Sequence, residues 1–234
     1  MAQEVGASLG NMTSAWWSPV LSVPNDNLEE GNQKSSPILI ERTLPHTLMV
    51  NKSGKRFCNE ATNYSALAGA FHFFDPNEYG YPNLPSWIIF DSNFREKYPF
   101  VNIFPGTEDP DWFIKADSIS DLAKKLEIDK DSLNLTLDTF NKHVETGNDL
   151  DFGRGKSEYD SFYGDRSQSG VYTTLGTVEK APFYAVEKST ESTPLVREGQ
   201  KTENSQPSKK MSKYWSGLPA GGIWWCHTPV GGGP

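Results

Sequence analysis

The residues whose types and order could do chemistry are concentrated in one stretch, Pro45 to Phe74, which reads PHTLMVNKSGKRFCNEATNYSALAGAFHFF. It holds two ions of opposite sign, Arg56 and Glu60, the amide of Asn59, the phenol of Tyr64, and the rings of Phe71 and Phe74. Thr47 to Val50 reads as a strand, Asn51-Lys52-Ser53-Gly54 is turn chemistry, and Lys55-Arg56-Phe57 leads out on a returning strand. From about Glu60 to Phe74, the residues Leu67, Ala70, Phe71 and Phe74 fall at helical spacing. Read locally, the stretch is a β-hairpin feeding an amphipathic helix. Arg56 and Glu60 are then a structural ion pair and Tyr64 a packed phenol.

Other recognisable chemistry fails on spacing. Gly155-Lys156-Ser157 has the ending of a phosphate-binding loop, but Leu150 stands where the first glycine is needed. Gly153 and Gly155 could begin a dinucleotide fingerprint, yet no strand precedes them and Glu158 occupies the place of the third glycine. His46, His72, His143 and His227 are scattered, and Cys226 is adjacent to His227 rather than spaced from it, so no metal site is expected. There is no G-x-S-x-G elbow for a serine nucleophile. Glu29-Glu30, Asp109 and Asp111 read as solvated loop charges.

Composition narrows the class. The 234 residues suffice for one good core, or a domain with an appendage. Hydrophobic content is low at 36% while aromatics reach 12%, a pairing that suits aromatic surfaces around a pocket. A net charge of −8 and a pI near 5.1 argue against nucleic acid or an anionic membrane as the partner. No apolar run approaches the roughly 20 residues that span a bilayer, and Met1 to Met12 lacks the pattern of a signal peptide. Cys58 and Cys226 are too few and too far apart for a disulfide framework, so a cytoplasmic protein is expected.

The elements that must position the central stretch are readable in part. Met1 to Leu9 patterns as a helix stopped at Gly10, and Asn25 to Ser36 as a polar loop. Pro37 to Ile40 and Ser86 to Phe90 read as strands, and a short polar helix ends near Tyr98-Pro99. Ser118 and Asp121 form a capping box that opens a helix carrying Leu122 and Leu126. Asp129 can cap a second helix with Leu133, Leu137, Phe140 and Val144 on one stripe, ended by Gly147. A Gly-, Asp- and Tyr-rich loop follows from Asn148 to Ser169, and from Lys188 onward no period is visible. The expected fold is α+β: a small mixed sheet from strands near 37–57 and 86–90, covered by the helix after Glu60 and by the helix pair 118–147.

The string Gly54-Lys55-Arg56-Phe57-Cys58-Asn59-Glu60 resembles the G-[KR]-R-F-x-N-E signature of the fumarate reductase and 3-ketosteroid dehydrogenase flavoproteins. Further pieces resemble the 3-oxosteroid 1-dehydrogenase branch. These are Gly10-Asn11-Met12 with Ala15-Trp16-Trp17, Pro45 to Tyr64, Pro85 to Asp91, Asp151-Phe152-Gly153-Arg154-Gly155, and Ala181 to Val186. The resemblance covers about Met1 to Glu187. It implies an FAD-dependent oxidoreductase that removes two hydrogens from adjacent carbons beside a ketone in a steroid-like or other cyclic substrate. It also implies that Tyr64 is the base of that reaction, with Arg56, Asn59 and Glu60 in supporting roles. A free phenol ionises near pH 10 (about 10), so such a base needs an activating environment and a polarised carbonyl. Trp16, Trp17, Phe71 and Phe74 could line a slot for a flat polycyclic ligand, or be plain core.

The resemblance also sets expectations for the rest of the chain. Residues 1–24 correspond to part of a flavin-binding domain, 25–187 to a substrate-binding cap and its return segment, and 188–234 to an irregular, disordered or out-of-frame tail. The glycine-rich segments that hold most of the FAD have no counterpart in the sequence, so a fragment inactive by itself is expected. The first helix and the segment around Phe183-Tyr184 would rest on the flavin domain and leave apolar surface exposed here. A fumarate reductase-like enzyme, or a ligand-binding remnant without redox chemistry, are the alternatives. The region around Tyr64 offers a dicarboxylate only Arg56 and, further off, Arg42.

Overall fold

Ser86 to Phe90 is buried at every position, as is Thr47 to Asn51, so a sheet containing them must be covered on both faces. The computed structural model describes residues 17–27, 33–186 and 196–198. In chain order its elements are β1 (Trp17–Asn27), β2 (Gln33–Pro37), a 3₁₀ turn at Glu41–Thr43, β3 (Thr47–Asn51), α1 (Tyr64–Phe71), β4 (Ser86–Phe90) and α2 (Ser92–Lys97). There follow β5 (Phe113–Ala116), α3 (Ile119–Lys125), α4 (Lys130–Thr146), α5 (Glu158–Phe162), a 3₁₀ turn at Gly170–Thr173, β6 (Phe183–Val186) and β7 (Val196–Glu198).

The four-stranded sheet runs β3-β4-β6-β5 with every pair antiparallel. Its register places Met49 opposite Ile88 and Ile88 opposite Val186, while Leu48 faces Ile89 and Ile89 faces Ala185. Alternation along each strand then separates two cores. Met49, Ile88, Phe90, Tyr184 and Val186 pack with Leu67 and Phe71 of α1 and Phe94 of α2. Leu48, Val50, Trp87, Ile89, Phe183 and Ala185 pack against Leu122, Leu133, Leu137, Phe140 and Val144 of the α3–α4 pair. A second sheet, β2-β1-β7, is built on β1. Among the described residues no helix is long and apolar enough to cross a membrane.

The α+β expectation holds, and the helix pair forms as its local signals require. The Ser118 hydroxyl accepts the Asp121 amide, Asp129 accepts the Ser132 amide, and Gly147 ends α4 in the left-handed region. Four expectations need correction. The β1–β2 pair and every pair of the four-stranded sheet are antiparallel, and the strands form two sheets rather than one mixed sheet. Asn25–Asn27 and Gln33–Ser36, expected as loop, lie in strands, because Val20, Leu21 and Ser22 of β1 pair with Pro37, Ser36 and Ser35 of β2. Lys55–Phe57 is no strand: the Asn51 side chain accepts the Ser53 and Lys55 amides, and Arg56 turns inward. The helix after Glu60 is only Tyr64–Phe71, since the Asn63 carboxamide caps it on the Ser65 and Ala66 amides.

The exposure expected at Phe183-Tyr184 is also overturned. Phe183, Tyr184, Ala185 and Val186 are all buried, because β6 lies between β4 and β5 rather than at an edge. The first helix and most of the tail lie outside the described residues.

Gly54, the first residue of the signature, shows how tightly the turn docks on α4. Its φ is +70°, and an added Cβ would stand 2.8 Å from Ile128 Cγ2 and 3.1 Å from the Leu133 nitrogen. The neighbouring carbonyls are already engaged, Ser53 by the Ser132 hydroxyl at 2.6 Å and Gly54 by the Thr136 hydroxyl at 2.7 Å. Gly54→Ala therefore combines a left-handed backbone with overpacking and is expected to lower stability by about 2–3 kcal/mol. A urea midpoint equal to the parent's would contradict this.

Candidate active site

The signature folds into a buried ion network. Arg56 grips Glu60 through Nε to Oε1 at 3.0 Å and Nη2 to Oε2 at 2.8 Å. The same guanidinium donates to both oxygens of Asp149, at 3.1 and 3.0 Å. Its flat faces meet the Phe140 ring at 4.8 Å and the Phe152 ring at 5.1 Å. Arg154, fully buried, donates to Glu60 Oε2 at 3.2 Å and to the carbonyls of Thr47 and Leu44 at 2.7 and 2.9 Å. Glu60 also accepts the Met49 amide at 3.1 Å, which ties the network to β3.

Buried charges survive only when paired, and the titration shifts show how this set is balanced. Burial pushes the Glu60 carboxyl up, but Arg56 and Arg154 outweigh it and hold Glu60 below the usual carboxylate range. Asp149 is likewise opposed by burial and brought down to about 2 by the hydrogen bonds and charge of Arg56. Burial lowers Arg154 and pushes the enclosed Cys58 thiol up. Cys58 is thus a packed, protonated residue rather than a nucleophile.

A third buried guanidinium, Arg42, reaches the backbone just before Tyr64. It donates to the Glu60 carbonyl and, at 2.9 Å, to the Thr62 carbonyl; burial lowers its pKa to about 10. Asn59 closes the same turn, accepting the Ala61 amide at 2.9 Å and donating to Asp160 at 2.9 Å. Asn63 then caps α1, whose first residue is the half-buried Tyr64. Nearby, burial raises the Tyr159 phenol above its ordinary pKa while the Arg42 charge works the other way. The half-buried Tyr64 thus follows a turn fixed by Arg42, Asn59 and Asn63.

The aromatic candidates separate. Phe71 is fully enclosed in the core, with Phe57 edge-on at 5.2 Å. Trp17 packs on the His72 ring at 4.7 Å, and His72 lies 6.3 Å from Tyr81. Exposed Phe74 meets Tyr81 at 5.5 Å and Tyr79 at 5.7 Å. Trp16 lies outside the described residues. Trp17 and Phe74 thus gather at the C-terminal end of α1 and Tyr64 sits at the other, roughly 10 Å away along a helix of that length. One cleft lies beside α3, lined by Lys115, Asp121 and Lys124, and another of about 280 Å³ lies beside His46, Tyr98 and Tyr172. Neither includes Tyr64, whose candidacy rests on its chemistry and anchoring.

Sequence reasoning missed most of the groups that hold this site. Asp149, Tyr159 and Asp160 were unremarked, and Arg154 was only part of a motif. The available signal was the charged run Asp149 to Arg154 in an otherwise polar loop. The structure also places His143 beside Asp149 and Asp151, across the turn that Gly147 makes.

The glycines of the same loop do not cradle a cofactor. The Gly153 amide goes to the Asp149 carbonyl at 3.0 Å, the Arg154 amide to the Asp149 carboxylate at 3.2 Å, and the Gly155 amide to Asp160 at 2.9 Å. Amides spent on internal carboxylates cannot receive a pyrophosphate. Among the described residues this loop therefore does not fit FAD.

Comparison with known proteins places the chain. The FAD binding domain family matches residues 1–211. The 4-oxocyclohexanecarboxylate 2-dehydrogenase of Sinomonas cyclohexanicum is 35% identical over 80% of this chain and 32% of its own length. The 3-oxosteroid 1-dehydrogenase of Mycolicibacterium smegmatis is 35% identical over 79% of this chain and 32% of its own. The crystal structure of 3-ketosteroid Δ1-dehydrogenase from Sterolibacterium denitrificans, in complex with 1,4-androstadiene-3,17-dione, superposes with a TM-score of 0.67 and 30% identity. It covers 80% of this chain and 33% of that one. The chain thus spans about a third of the length of the relatives it matches. On the extent of the family match, with a buried ion network built from the residues of its signature, this chain belongs to the FAD binding domain family of flavin-dependent oxidoreductases.

Proposed function

We propose that residues 25–187 form the substrate-binding part of a flavin-dependent dehydrogenase acting on a 3-ketosteroid or a similar cyclic ketone, with Tyr64 as the base. The observation that carries this reading is the anchoring of Tyr64. Arg42, Asn59 and Asn63 fix the turn before it, while Tyr64 itself stays half-buried. So much order around a partly exposed phenol suits a group that must meet a substrate in one geometry.

The chemistry is the removal of two hydrogens from adjacent carbons. A ketone acidifies the C–H beside it, and Tyr64 takes that proton on its phenolic oxygen. The next carbon loses hydride to a two-electron acceptor, leaving a C=C bond conjugated to the carbonyl. These residues supply the proton-removing side only. The family's flavin is the expected acceptor, and its cradle is not formed by the loop described above. The apolar end of α1, with Trp17 and Phe74, is suited to the far rings of a flat ligand.

A dicarboxylate substrate is disfavoured on specific grounds. Arg56 is saturated by two carboxylates, and Arg42 is enclosed in the core with its Nη1 on two backbone carbonyls, so neither is presented to a substrate anion.

Proton removal can be tested without redox turnover. Incubating the chain with a 3-ketosteroid in D₂O should incorporate deuterium at the carbon beside the ketone, read by mass spectrometry. Exchange no faster than in buffer alone would remove this reading.

A further inference from the structure

Away from Tyr64, the last turn of α4 brings a histidine to two carboxylates. His143 Nδ1 stands 3.2 Å from Asp149 Oδ1 and 3.8 Å from Asp151 Oδ2, and one ligand atom from each residue lies within 4.8 Å of the others. His143 is only 7% exposed, and its Nδ1 is buried without a hydrogen bond. At 3.2 Å the nearer oxygen is close enough to accept one, but the ring does not aim its N–H along that line. A buried imidazole nitrogen left unpaired costs free energy unless something else occupies the space it faces.

We infer that His143, Asp149 and Asp151 bind a divalent transition-metal ion of the zinc type, with water completing the shell. Ligand bonds of about 2.0–2.2 Å at tetrahedral angles separate neighbouring donor atoms by roughly 3.3–3.5 Å. The observed 3.2 and 3.8 Å bracket that spacing. An imidazole with two carboxylates suits zinc, cobalt or nickel rather than calcium or magnesium, which take oxygen. The position is favourable in two further ways. His143 lies in the final turn of α4, where carbonyl groups leave partial negative charge. The Asp151 side chain is 46% exposed, which provides an entry path.

One neighbour opposes the ion and sets its strength. Arg56 donates to both oxygens of Asp149, so that carboxylate is shared between guanidinium and metal. The sharing orients the ligand, but the added positive charge limits affinity, and Asp151 supplies the charge that offsets it. The site would clamp the end of α4 to the loop that carries the partner of Arg56.

The test titrates the chain with Zn²⁺ alone by calorimetry at neutral pH, with the visible spectrum of added Co²⁺ as a second readout. One ion per chain is expected, with a rise in Tm of several degrees under saturating metal. Asp151→Asn, at an exposed position that the core does not need, should weaken binding at least tenfold and leave the fold intact. His143→Gln should abolish it. Absence of saturable binding overturns the proposal, as does equal affinity in both variants. It is equally overturned if metal does nothing and only acidification stabilises the parent relative to His143→Gln, because a proton on His143 would then be the occupant.

Discussion

Glu60→Ala is expected to lose most of the folding stability at neutral pH. The carboxylate is fully buried and is held by Arg56, Arg154 and the Met49 amide. Removing one member of a buried ionic cluster leaves uncompensated charge and costs about 3–5 kcal/mol. Against the roughly 5–15 kcal/mol of an ordinary domain, that is enough to populate the unfolded state. Glu60→Gln should be milder, because its amide oxygen still accepts, although its NH₂ group meets donors. Urea unfolding of the three proteins measures the differences. A loss below about 1 kcal/mol for Glu60→Ala would mean that water reaches the cluster and screens it.

The same network predicts how stability falls with acid. Glu60 and Asp149 are both depressed below their ordinary values of 4.5 and 3.8, Asp149 to about 2. For a depressed carboxyl, the stabilisation is complete above the unfolded-state pKa and disappears as pH falls through the folded one. Unfolding should therefore set in below about pH 4.5 and be largely complete near pH 2. Thermal melts across that range report it. In Glu60→Gln the acid dependence should be shallower, because one of the two coupled carboxyls has gone.

Tyr64→Phe is expected to reduce steroid deuterium exchange by about 10²–10⁴-fold, the usual contribution of a positioned base. Stability should change little. Asn63 caps α1 through its own side chain, which the substitution leaves in place. An equal loss of activity and of folded protein would reassign Tyr64 to structure. Retained exchange in a folded variant would place the base elsewhere. Arg42→Met provides the contrast: it removes the group that pins the Glu60 and Thr62 carbonyls, so stability and exchange should fall together.

The elements that were legible in the sequence are those whose causes are local. The α3–α4 pair carries its start signals at Ser118 and Asp129, its stop at Gly147, and its buried stripe within one helix period. The runs at Thr47 and Ser86 could be read as strands because both faces are buried and so the residues are continuously apolar. The signature around Arg56 carried the resemblance that led to the flavoprotein family. By contrast, β1 and β2 hide in a polar segment, and each is a strand only because the other pairs with it. Phe183 to Val186 gives no sign that it will lie between β4 and β5, since that position depends on partners more than sixty residues away in sequence (roughly) and on the closure of those loops.

The ion network shows the division most plainly. Sequence alone could pair Arg56 with Glu60, because four residues separate them. It could not show that Asp149 and Arg154 complete the cluster, that Arg42 reaches the turn before Tyr64, or that His143 faces two carboxylates. The Arg56–Asp149 and Glu60–Arg154 contacts join residues 93 and 94 positions apart, at a cost in chain entropy that only the assembled cores repay. The family, the helix pair and a catalytic candidate are legible from the residues alone. Which charges are buried together is set by folding, because a charge's worth depends on the dielectric around it and on the partners brought within reach.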